Sequence, residues 1–513
     1  MEMEEYIEDL RRRKEAPKRL GGEKKIARQH ELGRLTSRER IDKLVDPGSF
    51  MELGMLNRSS IPGMEEKSPA DGIAGGLAKI NGRTVVVESY DKTVFAGTEG
   101  SVGTKKTKML HGYAEKRGHP IINLVEGGGL RIPDGLGSDG MSERILPMVF
   151  LRHNRRTPFI AAIMGDSFGR GAWNAVTADF AVQLKGSCLA VAGPRMLEIA
   201  THEMTPNEEL GGWKVHAEVT GQVDAFGEND EHCLELIKEF LDYMPSSADE
   251  EPPFVATSDD ACRKLDRAIK IVPTKPNRSY DMKRLIKIIV DDGRMFELRP
   301  YFGKALITCL ARINGRVVGV LASQPLYNAG AGSPAEAEKA TEFICLCDSY
   351  NIPMVFLHDT PGFLIGRDAE QRKMPTKIMV WNQAIAWSTV PKISVIVRKS
   401  IGAAYGNMCG PDMGADFIVA WPTAEISFTG PDVGVNVVYK RQIEEAENQA
   451  EERKRLLDQW GFESAPWQAA AKHLIDDVID PRDTRKFLSQ ALEFSCRKGV
   501  KSKRLLSNWP TSF

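Results

Sequence analysis

The chain has 513 residues, 42% of them apolar, which is long enough for two or more domains with a sizeable core in each. It carries 69 Lys and Arg against 70 Asp and Glu, so no global charge points to nucleic acid or a membrane surface as a partner. The eight cysteines are scattered without a C-x-x-C pair, which excludes a zinc ribbon of the usual spacing and supplies no disulfide framework, and no apolar run reaches the roughly 18 residues of a spanning helix.

The N-terminal MEMEEYIEDL is acidic. It lacks both the apolar stretch of a secretory signal and the basic, acid-poor character of a transit peptide, so a cytoplasmic location is expected. Arg11 to Lys43 holds thirteen Lys or Arg and reads as charged helices forming a solvated or subunit-contacting arm. Thr36-Ser37-Arg38-Glu39 has capping-box spacing, which predicts a helix from near Thr36 to about Val45, ended by Asp46-Pro47-Gly48.

A long internal repeat follows. Leu77–Val87, LAKINGRTVVV, returns as Leu310–Val320, LARINGRVVGV, an offset of 233 positions (310 − 77). His119–Ile132 returns as Asn351–Ile365, and Arg156–Trp173 (RTPFIAAIMGDSFGRGAW) returns as TVPKISVIVRKSIGAAY from Thr389 to Tyr405. After a four-residue insertion, Ala178-Asp179-Phe180 matches Ala415-Asp416-Phe417 and Gly193-Pro194 matches Gly430-Pro431. This is one domain duplicated rather than a short-period solenoid. Each copy predicts a strand pair around Asn-Gly-Arg, a helix, a strand, a Gly/Pro turn, a helix, a strand and a small-residue turn, an alternation that means α/β. The Pro- and acid-rich stretch Pro245 to Pro276 separates the copies, giving two domains at 1–250 and 251–513. Residues 431–461 read as a charged helix on the surface.

Several candidate sites carry chemistry. Gly165-Asp166-Ser167-Phe168-Gly169 spells G-x-S-x-G between a strand and a helix, the setting of a hydrolase nucleophile. Its twin Arg398-Lys399-Ser400-Ile401-Gly402 lacks the first glycine, and a hydrolase has no use for two such elbows, so the nucleophile reading is remote. The nine histidines contain no H-x-x-x-H, and no metal is expected. Glu126 and Asp359, repeat equivalents at strand ends, fit a structural role better than a catalytic pair. Gly127-Gly128-Gly129 could admit close backbone approach to a ligand. What remains is a pair of turns whose amides, at the start of a helix, can stabilise an oxygen that becomes anionic. One such turn per half suggests two carbonyl oxygens on two substrates.

The motifs take this further. Gly21–Phe50, Gly128-Gly129-Leu130-Arg131-Ile132, Glu208–Gly221, Asp359–Phe363 (DTPGF), Lys399–Tyr405 and Trp421–Ile426 (WPTAEI) together resemble the carboxyltransferase (β) subunits of biotin-dependent acyl-CoA carboxylases, the propionyl-CoA and methylcrotonyl-CoA carboxylase group. The resemblance runs from about residue 20 to 510. It implies two duplicated crotonase-like (ClpP/crotonase) ββα-spiral domains, the first on the acyl-CoA side and the second on the biotin side. Gly169-Arg170 or Arg170-Gly171 amides would hold the thioester oxygen, and Ala403 and Ala404 amides the ureido oxygen of biotin. Gly128, Gly129, Arg131, Gly402, Tyr405 and Gly406 would line the substrate sites. The family implies that carboxybiotin arrives on a biotin carboxyl carrier subunit charged by a biotin carboxylase, because this chain has no A-M-K-M motif and no ATP-grasp-sized region. It also implies a homo-oligomer, a dimer at minimum and a hexamer by analogy. Arg170 departs from the family's Gly-Gly pair, which opens the question of a polar or anionic acyl group. A biotin-dependent decarboxylase coupled to a membrane partner is the alternative, and a crotonase-like or serine hydrolase is the remote one.

Overall fold

The computed structural model describes residues 2–138, 140, 155–496, 499 and 501–509. The chain forms two compact units that meet in sequence between Glu250 and Glu251. Each is built on one eight-stranded sheet. The first contains β1 (Met51–Glu52), β2 (Ile73–Ile80), β3 (Arg83–Tyr90), β4 (Ile121–Gly127), β5 (Phe159–Phe168), β6 (Phe180–Leu184), β7 (Leu189–Ala190) and β8 (Ala225–Gly227). The second contains β9 (Met295–Leu298), β10 (Leu306–Ile313), β11 (Arg316–Ser323), β12 (Met354–Thr360), β13 (Lys392–Ile401), β14 (Phe417–Ala420), β15 (Glu425–Ser427) and β16 (Asp477–Val478).

The two sheets have the same wiring. β2-β3 and β10-β11 are antiparallel hairpins, followed by parallel β3-β4-β5-β6-β8 and β11-β12-β13-β14-β16. Both hairpins turn on Asn-Gly in the left-handed region, Asn81-Gly82 at φ 50° and 78° and Asn314-Gly315 at φ 50° and 78°. Those are the dihedrals that match a two-residue turn to strand twist. An aspartate caps each turn: Asp46 accepts from the Asn81 and Gly82 amides, and Asp291 from those of Asn314 and Gly315. The hairpin, the following helix (Ser101–Arg117 or Pro334–Ser349) and the next strand give each unit the ββα turn of a crotonase-like spiral. Each of these helices inserts a buried lysine at the same position. Lys106 donates to the carbonyl of Ile73 and Lys339 to that of Leu306, so a repeated cation pins helix to strand. Burial lowers their pKa values to about 8 and about 7. In the first unit the helix predicted between β4 and β5 falls largely outside the described residues; in the second it is Arg367–Gln371 and Met374–Trp387.

The N-terminal arm departs from expectation. Its helices are Met3–Glu15, Glu23–Glu31 and Ser37–Leu44, the last with the predicted Thr36/Glu39 capping box. It is not merely a solvated arm. Arg40 is fully buried, with its guanidinium 2.6 Å from Glu126 and 2.6 Å from Asp230 and donating to the Met164 carbonyl. Gln29 also donates to Glu126, at 2.9 Å. Charge density in the sequence marked the exposed side of these helices; Arg40 and Gln29, facing inward onto Glu126, with Arg34 beside them, are what anchor the arm. The charged 431–461 stretch is three helices, Pro431–Val438, Lys440–Glu445 and Gln449–Ser464.

Candidate active site

Both turns form where a long central strand ends and a short helix begins. Gly169, φ 58°, precedes helix Arg170–Val176, and Gly402, φ 64°, precedes helix Ala403–Asn407. A Cβ is unfavourable at such φ, so glycine is required at both corners. Each glycine's own amide is already committed: Gly169 donates to the Val191 carbonyl at 3.0 Å and Gly402 to that of Ser427 at 2.9 Å. Of the two amide pairs open from sequence in the first turn, this favours Arg170-Gly171, since the first amides of a helix have no partner within it. The matching pair in the second unit is Ala403-Ala404. Ala403 is exposed and Ala404 buried, and both side chains are small enough to leave the amides approachable.

The loop after β4 lies against the first turn. Gly129 has φ 83°, and a Cβ there would come 3.1 Å from the Phe168 carbonyl oxygen, so the loop approaches the turn as closely as backbone allows. Gly128 beside it is exposed. The structure thus brings Gly128, Gly129, Gly169, Arg170 and Gly171 together in the first unit. Arg131 is different. It is buried, with Nη1 donating to Asp71 at 2.7 Å and Nη2 to the Thr98 carbonyl at 3.1 Å, so its guanidinium faces the framework and not an open ligand surface. In the second unit Gly402, Ala403, Ala404, Tyr405 and Gly406 are consecutive. Tyr405 is half-buried, its hydroxyl has no hydrogen-bond partner among the described residues, and burial, with Asp412 adding to it, holds the phenol in its neutral form. A Cβ on Gly406 would meet nothing nearer than Asn382 at 3.8 Å, so that position has room.

Arg170 does not project into solvent. Its Nη2 lies 2.6 Å from Glu99 Oε1 and its Nη1 donates to Thr104 Oγ1 at 3.3 Å. Beneath this pair sit Tyr90, whose hydroxyl donates to Glu99 at 3.4 Å, and Glu88, 3.4 Å from His111. Burial raises the Glu99 carboxyl, with Arg170 opposing it. Burial works against the His111 cation, yet the Glu88 carboxylate raises its pKa overall. Sequence reasoning singled out Arg170 but missed Glu99, Glu88, Tyr90 and His111. The repeat offset was the available signal, since the equivalent positions in the second half are Gly332, Leu321, Ser323 and Ile344.

The elbow look-alike has a packing explanation. Ser167 is buried, and its hydroxyl lies within hydrogen-bond distance of the Val125 and Gly165 carbonyls, with no base beside it among the described residues. The first glycine of the motif, Gly165, leaves space for Glu126: a Cβ there would lie 2.4 Å from its Oε1. In the second unit the equivalent residue is Arg398, which itself pairs with Asp359 at 2.9 Å. Glu126 and Asp359 are therefore buried framework carboxylates, as their strand-end positions implied. Each sits where the pairing with the next strand shifts register. The counterpart of Ser167 in the second unit, Ser400, does meet a histidine, His358 Nδ1 at 2.9 Å, but both are fully buried. A strained loop unseen in the sequence lies against the end of β4 and, in the second unit, of β12: Phe95-Ala96 and the equivalent Asn328-Ala329 are consecutive non-glycine residues at φ 46–56°. Among the described residues no three His, Cys, Asp or Glu side chains gather as metal ligands, and no helix is long and apolar enough to cross a membrane.

Two crotonase-like units, each with a glycine corner between a strand end and a short helix, give the chain the fold class of the carboxyltransferase enzymes. Residues 28–507 match the family described as carboxyl transferase domain, and the chain belongs to that family. It is 36% identical over 98% of both chains to the carboxyltransferase subunit of propionyl-CoA carboxylase from Haloferax mediterranei. It is 34% identical to the methylmalonyl-CoA decarboxylase subunit alpha of Propionigenium modestum, covering 97% of this chain and 96% of that one. Among solved structures, a transcarboxylase 12S crystal structure described as a hexamer assembly, with methylmalonyl-coenzyme A and methylmalonic acid bound, matches with a TM-score of 0.91 at 32% identity over 98% of each chain.

Proposed function

We propose that this chain is the carboxyltransferase subunit of a biotin-dependent acyl-CoA carboxylase, moving a carboxyl group from carboxybiotin to the α carbon of an acyl-CoA. Carboxybiotin is here a substrate delivered by a biotin carboxyl carrier subunit that a biotin carboxylase charges. The observation that carries the reading is the doubled turn: two glycine corners with their own amides tied back, each presenting the next two amides of a short helix, in a chain that matches the family over residues 28–507.

In the first unit the Arg170 and Gly171 amides hold the thioester oxygen and stabilise it as it gains enolate charge; Gly128 and Gly129 let the ligand approach the backbone. In the second unit the Ala403 and Ala404 amides hold the ureido oxygen, with Gly402 and Tyr405 lining that site, while Gly406, the residue after the Ala-Tyr of this turn, borders the acyl group as the family resemblance implies. The small side chains fit that group, since nothing larger than a methyl stands at the turn. Carboxybiotin supplies the carboxyl group and, once it has left, the base that takes the α proton. The chain supplies orientation and preorganised donors, and no side-chain base is required of it. A homo-oligomer, a dimer at minimum and a hexamer like the related 12S protein, and a cytoplasmic location complete the reading.

A second direction has a specific observation behind it, the 34% identity to a decarboxylase subunit alpha. One experiment separates the outcomes. The native complex should incorporate labelled bicarbonate into an acyl-CoA in an ATP-dependent, avidin-sensitive manner. Avidin-sensitive loss of carboxyl from a carboxyacyl-CoA without ATP-driven incorporation would favour the decarboxylase. Turnover indifferent to avidin would overturn both.

A further inference from the structure

Glu99 ties together the two loops that form the first turn's site. It lies between β3 and helix Ser101–Arg117, and its backbone is bonded to the loop after β4: its amide donates to the Gly129 carbonyl at 2.9 Å, and its carbonyl accepts from the Arg131 amide at 2.9 Å. Its side chain belongs to the turn after β5, through the 2.6 Å ion pair with Arg170. Both partners are largely withdrawn from water, with side-chain exposures of 4% for Glu99 and 20% for Arg170. Water therefore does little to weaken the pair. The second unit shows what the fold needs without this device. There Gly332 makes the same two backbone bonds, to the Gly362 carbonyl at 3.1 Å and from the Leu364 amide at 2.8 Å. It has no side chain, and the equivalent of Arg170 is Ala403. The backbone bridge is thus part of the scaffold, whereas the carboxylate–guanidinium bridge is an addition to one half.

We propose that Glu99 is a positioning residue for carboxyl transfer, holding the Arg170-Gly171 amides at a set distance from the Gly128-Gly129 loop through its ion pair with Arg170. This rests on the carboxyltransferase reading above. A bond between the loops governs the geometry of the amides around the reacting carbonyl, and displacement by about 1 Å costs on the order of a hundredfold in rate. Binding of the rest of the CoA ester does not depend on it. Because Arg170 is paired inward, it is not the receptor for an anionic acyl end; it serves the turn that carries it.

The test uses the complex reconstituted with its biotin-bearing partners and a panel of acyl-CoA esters. Glu99→Ala should lower kcat by about a hundredfold with KM for the acyl-CoA changed less than about threefold. Glu99→Gln, which keeps the shape and loses the charge, should lose about tenfold and serves if the alanine variant does not fold. The decisive variant is E99G/R170A, which installs the second unit's own Gly/Ala pair. It removes the buried charge left by Glu99→Ala, so thermal stability should return while kcat stays low. If kcat recovers along with stability, or if Glu99→Ala and Glu99→Gln both keep wild-type kcat, Glu99 is only a structural counter-ion and the inference falls. If the wild-type complex carboxylates none of the esters, the functional reading itself falls, an outcome visible before any variant is made.

Discussion

At six equivalent positions the first unit has Glu88, Tyr90, Glu99, Thr104, Thr107 and His111, and the second has Leu321, Ser323, Gly332, Ala337, Ala340 and Ile344. The hairpin, the helix, the buried lysine and the glycine corner are otherwise the same in both. Everything the two halves share is made by backbone or by a side chain bonded to backbone: the Asn-Gly turns, the aspartate caps, Lys106 and Lys339. What differs is the layer of side chains under the turn, with two carboxyls, a phenol and an imidazole in one half and no ionisable group at the equivalent positions of the other. Duplication preserved the glycine corners and let the layer beneath each diverge, which is what the proposal of a different ligand for each half requires. The cost of burying these groups is offset by ion pairing, Arg170 with Glu99 and His111 with Glu88, since an unpaired buried charge would destabilise the unit.

The hardest blow to this comparison is struck at the second turn. Ala404→Pro removes one amide donor, so transfer from carboxybiotin should fall by roughly 10²–10³, the scale for losing one oxyanion donor, while acyl-CoA binding measured by titration stays at the wild-type value. An equal loss of CoA-ester binding would show that the ligands are assigned to the wrong halves.

Next in size is Gly406→Ile. A Cβ at Gly406 meets nothing nearer than 3.8 Å, and filling the space beyond it should shift kcat/KM toward acetyl-CoA over a longer ester by roughly 10–200-fold. An unchanged ratio in a folded protein would remove Gly406 from the acyl pocket.

A third test uses pH. The second unit buries His358 where the first has Val125, and burial lowers its pKa from 6.5 to about 3. Between those values the unfolded chain binds a proton that the folded chain does not, so stability falls as pH drops below about 6.5, by up to about 1.4 kcal/mol per pH unit. Denaturant unfolding at pH 7 and 4.5 should show a shallower pH dependence in His358→Val than in wild type. Parallel slopes would mean that His358 is not held neutral.

The smallest effect is expected at Ser167. Ser167→Ala should keep at least about a tenth of carboxyltransferase activity, and serine-directed phosphonates should leave the protein unlabelled. Stoichiometric labelling at Ser167 would replace the amide-turn chemistry with a nucleophile.

Much of this was legible in the chain before any coordinates. The repeat is carried by turn chemistry and strand patterns, which are local: Asn-Gly-Arg specifies a hairpin wherever it stands between β-branched runs, and Thr36 with Glu39 specifies a helix start. The corner glycines were legible for the same reason. The roles of Arg131 and Arg40 were not. Nothing beside either arginine in the chain names its partner, and only the folded chain shows that Arg131 faces Asp71 and Arg40 faces Glu126 and Asp230.

By itself the sequence determined the duplicated α/β plan, the two turns and, through its motifs, the family. Tertiary structure alone decided which amides in each turn are already bonded, why Gly165 must lack a side chain, and that Glu99 holds Arg170. The division has one physical cause. Helix starts, hairpins and glycine corners depend on neighbours a few residues away, whereas a buried charge is defined by whichever partner the fold brings to within about 3 Å of it, and that partner leaves no mark beside it in the chain.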